Sequence, residues 1–220
     1  MRPVRAAFDV VRQRAARDGL RGRLRVWQRW TGTPFSVAGE ILPERGVILD
    51  LGCGFGMLSA LLAVQAPGRE LLGLDVDAAK VGRARRLFGD LARFECADFA
   101  RMPPGLPRAD AVVIWDVLHH VAEPAALLGW AARNLKPGGV LLLKENDVVP
   151  LSKRLVSEAV ELVAVGLDVT ASAPVRFRSR VEWSDMLVDA GFEVLRAEHL
   201  RAREGFFVPH SLFVARLREG

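Results

Sequence analysis

Val47-Ile48-Leu49-Asp50-Leu51-Gly52-Cys53-Gly54-Phe55-Gly56 runs from an apolar strand pattern into three alternate glycines, and a helical pattern follows to Ala66. Glycines in such a turn let the backbone approach a ligand closely, and the start of the next helix offers free N–H groups. A lone GxG turn is shared by dinucleotide enzymes and by many structural turns. The dinucleotide spacing GxGxxG is absent, because Gly56 follows Gly54 by two positions. A cradle for a ligand without a pyrophosphate fits the spacing better.

Downstream of this turn the pattern alternates. Strand-like runs at 70–76, 92–99, 110–116 and 139–145 are separated by helical patterns at 77–88 and about 124–135. Such alternation predicts a mostly parallel sheet with helices on both faces. Two further strand-like runs, 192–200 and 210–217, predict an antiparallel hairpin at one edge, which completes a seven-stranded, Rossmann-like α/β sheet. Between these parts, Leu151, Leu155, Ala159 and Leu162 mark an amphipathic helix too charged to span a membrane. Ser179 with Glu182 is a capping-box pattern that opens another helix, closed by Gly191.

Upstream, Val4, Phe8, Val11 and Ala15 have helical spacing with arginines on the other flanks. Gly19 and Gly22 are expected to interrupt that helix, and a short second helix and lead-in are expected between Leu24 and Pro43. The net charge of +5 is uneven: the first thirty residues hold nine arginines against Asp9 and Asp18. Such a segment suits an anionic lipid surface, nucleic acid or an acidic carrier, or is simply a solvated helix. No apolar run approaches twenty residues and the first residues lack a signal-peptide core, so a cytoplasmic protein is expected. Cys53 and Cys96 lack metal-ligand spacing, which predicts reduced thiols and no bound metal.

The stretch LDLGCGFG resembles the first motif of class I S-adenosylmethionine-dependent methyltransferases, a strand with an acidic residue followed by GxGxG. The resemblance implies that S-adenosylmethionine is the cofactor. Gly52, Cys53 and Gly54 would lie against its methionyl part, with Asp50 helping to hold the ammonium group. Asp75 ends the second strand about twenty residues on, where the family uses a carboxylate for the ribose hydroxyls; Asp77 reads as a helix cap. Asp98 and Phe99 match the adenine-binding segment, and Val76 and Trp115 complete the implied cofactor set. Lys136-Pro137-Gly138-Gly139 resembles the family's turn into the fifth strand. The likeness is strong from about residue 46 to 146, which implies a helical extension or cap at 1–43, the methyltransferase domain at 44–220, and a helical insertion or lid at 151–178.

The segment Asp116-Val117-Leu118-His119-His120 resembles a D-x-L-H-H stretch common in small-molecule methyltransferases. Either imidazole could take the proton of a hydroxyl acceptor, and His119 holds the more regular place in the motif. Lys144, Glu145, Asn146 and Asp147 crowd the same sheet edge as candidates for an acceptor pocket, while His199 and His210 read as structural. The expected function is methyl transfer to a small organic acceptor, at oxygen or carbon. The alternatives are RNA-directed methylation and a non-catalytic cofactor-binding partner. The [DN]-P-P-[FYW] motif that accompanies methylation of base amino groups is absent.

Overall fold

The computed structural model describes residues 2–32, 35–146, 176–200 and 210–218. The helix expected from Leu151 and the loop expected at 201–209 lie outside the described residues. Helix α1 (Val4–Ala15) is followed by a single 3-10 turn, α2 (Gly19–Gly32) and α3 (Phe35–Ile41). Then come β1 (Arg45–Leu51), α4 (Met57–Gln65), β2 (Gly68–Asp75), α5 (Ala78–Phe88), β3 (Arg93–Cys96) and β4 (Ala109–Trp115). Beyond a 3-10 turn at Leu118–His120 lie α6 (Pro124–Asn134), β5 (Leu135–Asn146), α7 (Arg180–Asp189), β6 (Phe192–Leu200) and β7 (His210–Leu217).

The seven strands lie in the order β3-β2-β1-β4-β5-β7-β6. The first five are parallel, and β7 is antiparallel to both β5 and β6. The sequence-based fold class and its edge hairpin are therefore observed. Strand order reverses between β1 and β4, and open α/β sheets bind ligands outside the carboxyl ends of strands at such a switch. Strand alternation sorts the core into two layers. Ile48, Ala111, Val113 and Leu142 face the amino-terminal helices and α4. Leu49, Val112, Ile114 and Leu143 face the layer containing Leu127, Leu128 and Trp183 of α6 and α7. Helix α4 is buried at all nine positions, which explains its nearly continuous apolar sequence.

Three local expectations change. The break after α1 falls at Ala16–Asp18, and Gly19 turns the chain at φ 69°. Gly22 does not interrupt a helix but lies within α2, where a Cβ would stand 2.1 Å from the Ala15 carbonyl oxygen. Close approach, not helix breaking, requires that glycine. Strand β3 stops at Cys96 because its pairing with β2 ends at Asp75, so Asp98 and Phe99 leave the sheet. The Pro-Gly-Gly run lies inside β5 as a bulge: Ala109 pairs with Leu135, and pairing resumes at Ala111 with Val140.

Candidate functional site

The site assembles at the carboxyl ends of β1, β2 and β4. Gly52, Gly54 and Gly56 all have positive φ, at 77°, 53° and 75°, but their surroundings differ. A Cβ at Gly52 would meet Val117 at 2.3 Å, and one at Gly56 would meet Phe94 at 2.7 Å. A Cβ at Gly54 would meet nothing within 4 Å. The outer two glycines are thus required by packing, whereas the middle one leaves open space beside the turn.

Asp75 fixes this turn. Its Oδ2 accepts from the Gly54 N–H at 2.8 Å and its Oδ1 from the Asp77 N–H at 2.9 Å. Each oxygen keeps a lone pair for another donor. Asp77 caps α5 by accepting from the N–H groups of Ala79 and Lys80. Asp50 is buried and accepts from the Ser59 hydroxyl of α4 at 2.5 Å. Burial raises the Asp50 pKa to about 6, against the lowering effect of the Ser59 bond. Burial, with Asp50 and Asp75 nearby, also raises the Cys53 pKa, so its thiol stays protonated.

Two cavities meet at this turn, sharing Arg29, Gly52 and Gly54. The larger encloses about 1200 Å³ including its open mouth, and Asp75, Val76, Asp98, Phe99 and His120 contribute to its wall. The smaller, about 700 Å³, is lined by Asp50, Cys53 and Trp115 together with Arg25 and Arg29 of α2. The buried Trp115 Nε1 has no hydrogen-bond partner among the described residues. Asp98 is exposed, and its Oδ1 accepts from the Ala100 N–H in its own loop. Of the residues nominated from sequence for catalysis or cofactor binding, His119 alone lines neither cavity.

His119 is 1% exposed, and its Nδ1 lies 2.5 Å from Glu145 Oε2. The other Glu145 oxygen accepts from the N–H groups of Val117 and Leu118, at 3.0 and 2.7 Å. One carboxylate therefore clamps the loop and orients the ring, whose centroid is 4.1 Å from that of His120. Lys144, Glu145 and Asn146, expected as pocket lining, are instead buried behind the wall. Asp147 lies outside the described residues. The polar character of this run serves mutual contacts: Lys144 Nζ donates to Asp116, and Asn146 Oδ1 lies 2.9 Å from His210 Nδ1.

Sequence reasoning missed the role of Asp116. It sits at φ 58°, the one non-glycine residue at positive φ among the described residues, and it lines the larger cavity. Burial would raise its pKa, but Lys144, His210, Arg29 and His119 outweigh that and keep it ionised. Arg29 Nη1 lies 3.7 Å from its Oδ2, tying α2 to the end of β4. A carboxylate placed directly after an apolar strand was the available signal; its partners, scattered over four segments, were not legible.

Known proteins share this architecture. A family profile described as a methyltransferase domain matches residues 22–197. Trans-aconitate 2-methyltransferase of Methylobacterium nodulans is 34% identical over 72% of this chain and 62% of its own length. Ubiquinone biosynthesis O-methyltransferase of Marinobacter nauticus is 31% identical over 66% of this chain and 63% of its own. The chain thus spans somewhat under two thirds of these relatives. Human N-acetylserotonin methyltransferase, solved with S-adenosylmethionine, superposes with a TM-score of 0.65 at 23% identity, covering 90% of this chain and 55% of that one. A TehB-like enzyme from Corynebacterium glutamicum gives 0.61 at 19% identity, over 84% and 86%. At these identities the structural likeness concerns the fold.

Proposed function

Because the chain belongs to the class I S-adenosylmethionine-dependent methyltransferases, we propose that it transfers a methyl group to a small organic acceptor. The observation that carries this reading is the glycine turn, where Gly54 leaves a cradle between two cavities, one lined by Asp50, Arg29 and Trp115 and the other by Asp75 and Asp98. Asp50, Asp75 and Asp98 supply acceptors for an ammonium group, ribose hydroxyls and an adenine amino group. Arg29 and the Trp115 N–H, which has no partner among the described residues, supply donors beside the smaller cavity, as a carboxylate requires. This donor set fits S-adenosylmethionine, which would supply a sulfonium methyl group for in-line displacement. The residues 1–43 would form a cap over it.

The chain's own task is alignment and proton removal. Asp116, held by Lys144 and Arg29, fixes the end of β4 against the cavity. His120 stands in the cavity wall, so we assign it the acceptor's proton, and His119 with Glu145 positions it. This differs from the sequence-based preference for His119, whose ring is shut behind the wall. The names of the relatives, one acting on trans-aconitate and one in ubiquinone biosynthesis, support a small acceptor. Incubating the protein and methyl-labelled cofactor with metabolite extracts should yield a labelled small molecule by mass spectrometry. With that acceptor, His120→Ala should lower kcat roughly a hundredfold while cofactor affinity holds. Loss within a few fold for a hydroxyl acceptor would remove the base assignment. Label found only in RNA would reject the acceptor class.

A further inference from the structure

Helix α2 has two faces. Its inner side presents Gly22, Val26 and Arg29 to the smaller cavity. Its outer side leaves Leu20, Leu24 and Trp27 at 71%, 55% and 66% exposure. With 3.6 residues per turn, these positions fall within a sector about 60° wide. Single exposed leucines are ordinary, but three large apolar side chains aligned on one helix form a stripe.

Arginines border that stripe. Arg21 and Arg23 are exposed, and neither forms an ion pair among the described residues. The inner-facing Arg25 is committed elsewhere, to Asp18 at 3.0 Å and to the Phe55 ring at 4.3 Å. The segment thus presents free positive charge beside exposed hydrocarbon, within a stretch of nine arginines and two aspartates.

We propose that this face of α2 docks on an anionic lipid surface, with Leu20, Leu24 and Trp27 at the boundary of headgroups and acyl chains and Arg21 and Arg23 on the phosphates. A nucleic-acid backbone would match the arginines and leave Leu20 and Leu24 in water. A neutral apolar patch would cover the leucines and strand the guanidinium groups. A lipid interface offers phosphates and hydrocarbon in adjacent planes, the arrangement that basic amphipathic helices use. The helix lies on such a surface rather than crossing it: α2 has 14 residues, and no described helix is long and apolar enough to span a membrane. Since the opposite face of α2 lines the smaller cavity, docking sets that cavity about one helix diameter from the lipid. The inference is independent of the methyl acceptor.

The test is co-sedimentation of the full chain with vesicles of phosphatidylcholine alone or with about 30% phosphatidylglycerol, at about 0.1 M salt. Binding is expected to the anionic vesicles and to weaken as salt rises. The pair Leu20→Glu and Leu24→Glu should reduce partition roughly tenfold or more, with helicity and S-adenosylmethionine affinity unchanged. Arg21→Gln with Arg23→Gln should reduce it several-fold and remove most of the salt dependence. No binding to anionic vesicles, or binding that the glutamate pair leaves intact, overturns the proposal. Binding to a short RNA, unaffected by the glutamate pair and without vesicle binding, would also overturn it and assign the arginines to nucleic acid.

Discussion

Burial raises the Asp50 pKa to about 6, so folding favours its neutral form relative to the unfolded chain. The raised value gives a definite sign: this group's contribution to stability is fully present below the ordinary carboxylate value and is lost as pH rises through about 6. Two units of difference correspond to about 3 kcal/mol. A bound ammonium group would favour the carboxylate, so cofactor affinity should fall as pH drops below about 6, by at most tenfold per unit. Calorimetry across that range checks this, and Asp50→Asn should flatten the profile; a flat wild-type profile would separate Asp50 from the cofactor. Gly54 allows a controlled comparison with Gly105, since both have positive φ and a Cβ at either would meet nothing within 4 Å. Alanine should cost each about 1 to 2 kcal/mol of backbone strain, but only Gly54→Ala should also weaken cofactor binding, because only that methyl enters the cavities. Equal affinities for the two variants would move the ligand away from the turn. The glycine turn and Asp75 were legible because they lie close together in sequence and share a recognisable spacing. The clamp of Glu145 on His119 was not, since it joins β5 to the loop after β4 and nothing local announces the pairing.

Helix α7 begins with the capping box that its sequence spells out. Ser179 accepts from the Glu182 N–H at 3.3 Å, and Glu182 Oε2 accepts from the Ser179 N–H at 2.7 Å. Ser179→Ala should cost about 1 kcal/mol of stability in urea titration, with cofactor affinity unchanged because α7 packs beneath the sheet through Trp183 and Leu187. An effect on affinity as large as that on stability would tie α7 to the site. Elements with strong local signals, such as this cap, the continuous apolar run of α4 and the alternating strands, matched the structure in kind. The misjudged features depended on tertiary contact. Gly22 looks like a helix breaker until α1 is placed against it, and the bulge in β5 exists because Leu135 pairs with Ala109 ahead of the main register.

The whole molecule is joined across its layers by Arg69, at the start of β2 and only 4% exposed. Its guanidinium donates to the carbonyls of Pro43, Leu62, Gly39 and Leu42 at 2.7 to 3.2 Å, collecting the carboxyl end of α3, the lead into β1 and part of α4. Burial lowers its pKa, yet a guanidinium remains charged. Arg69→Lys keeps the charge but cannot reach four carbonyls, so it should destabilise the protein by about 1.5 to 3 kcal/mol, seen as a lower denaturant midpoint. A midpoint within experimental error of the wild type would show the carbonyls to be solvated instead. Nothing in the sequence distinguishes this arginine from its many solvated counterparts. The order of the last three strands of the sheet bears on how the chain is made. β5 gains β4 as a neighbour early but must wait for β7, which follows β6 in the chain. In that interval its other edge is open, a template to which stray strands can add. Lys144 and Glu145 lie on this edge, and charged side chains discourage such pairing. The charges that hold the site in the finished protein therefore also guard its seam during synthesis, until β7 closes it.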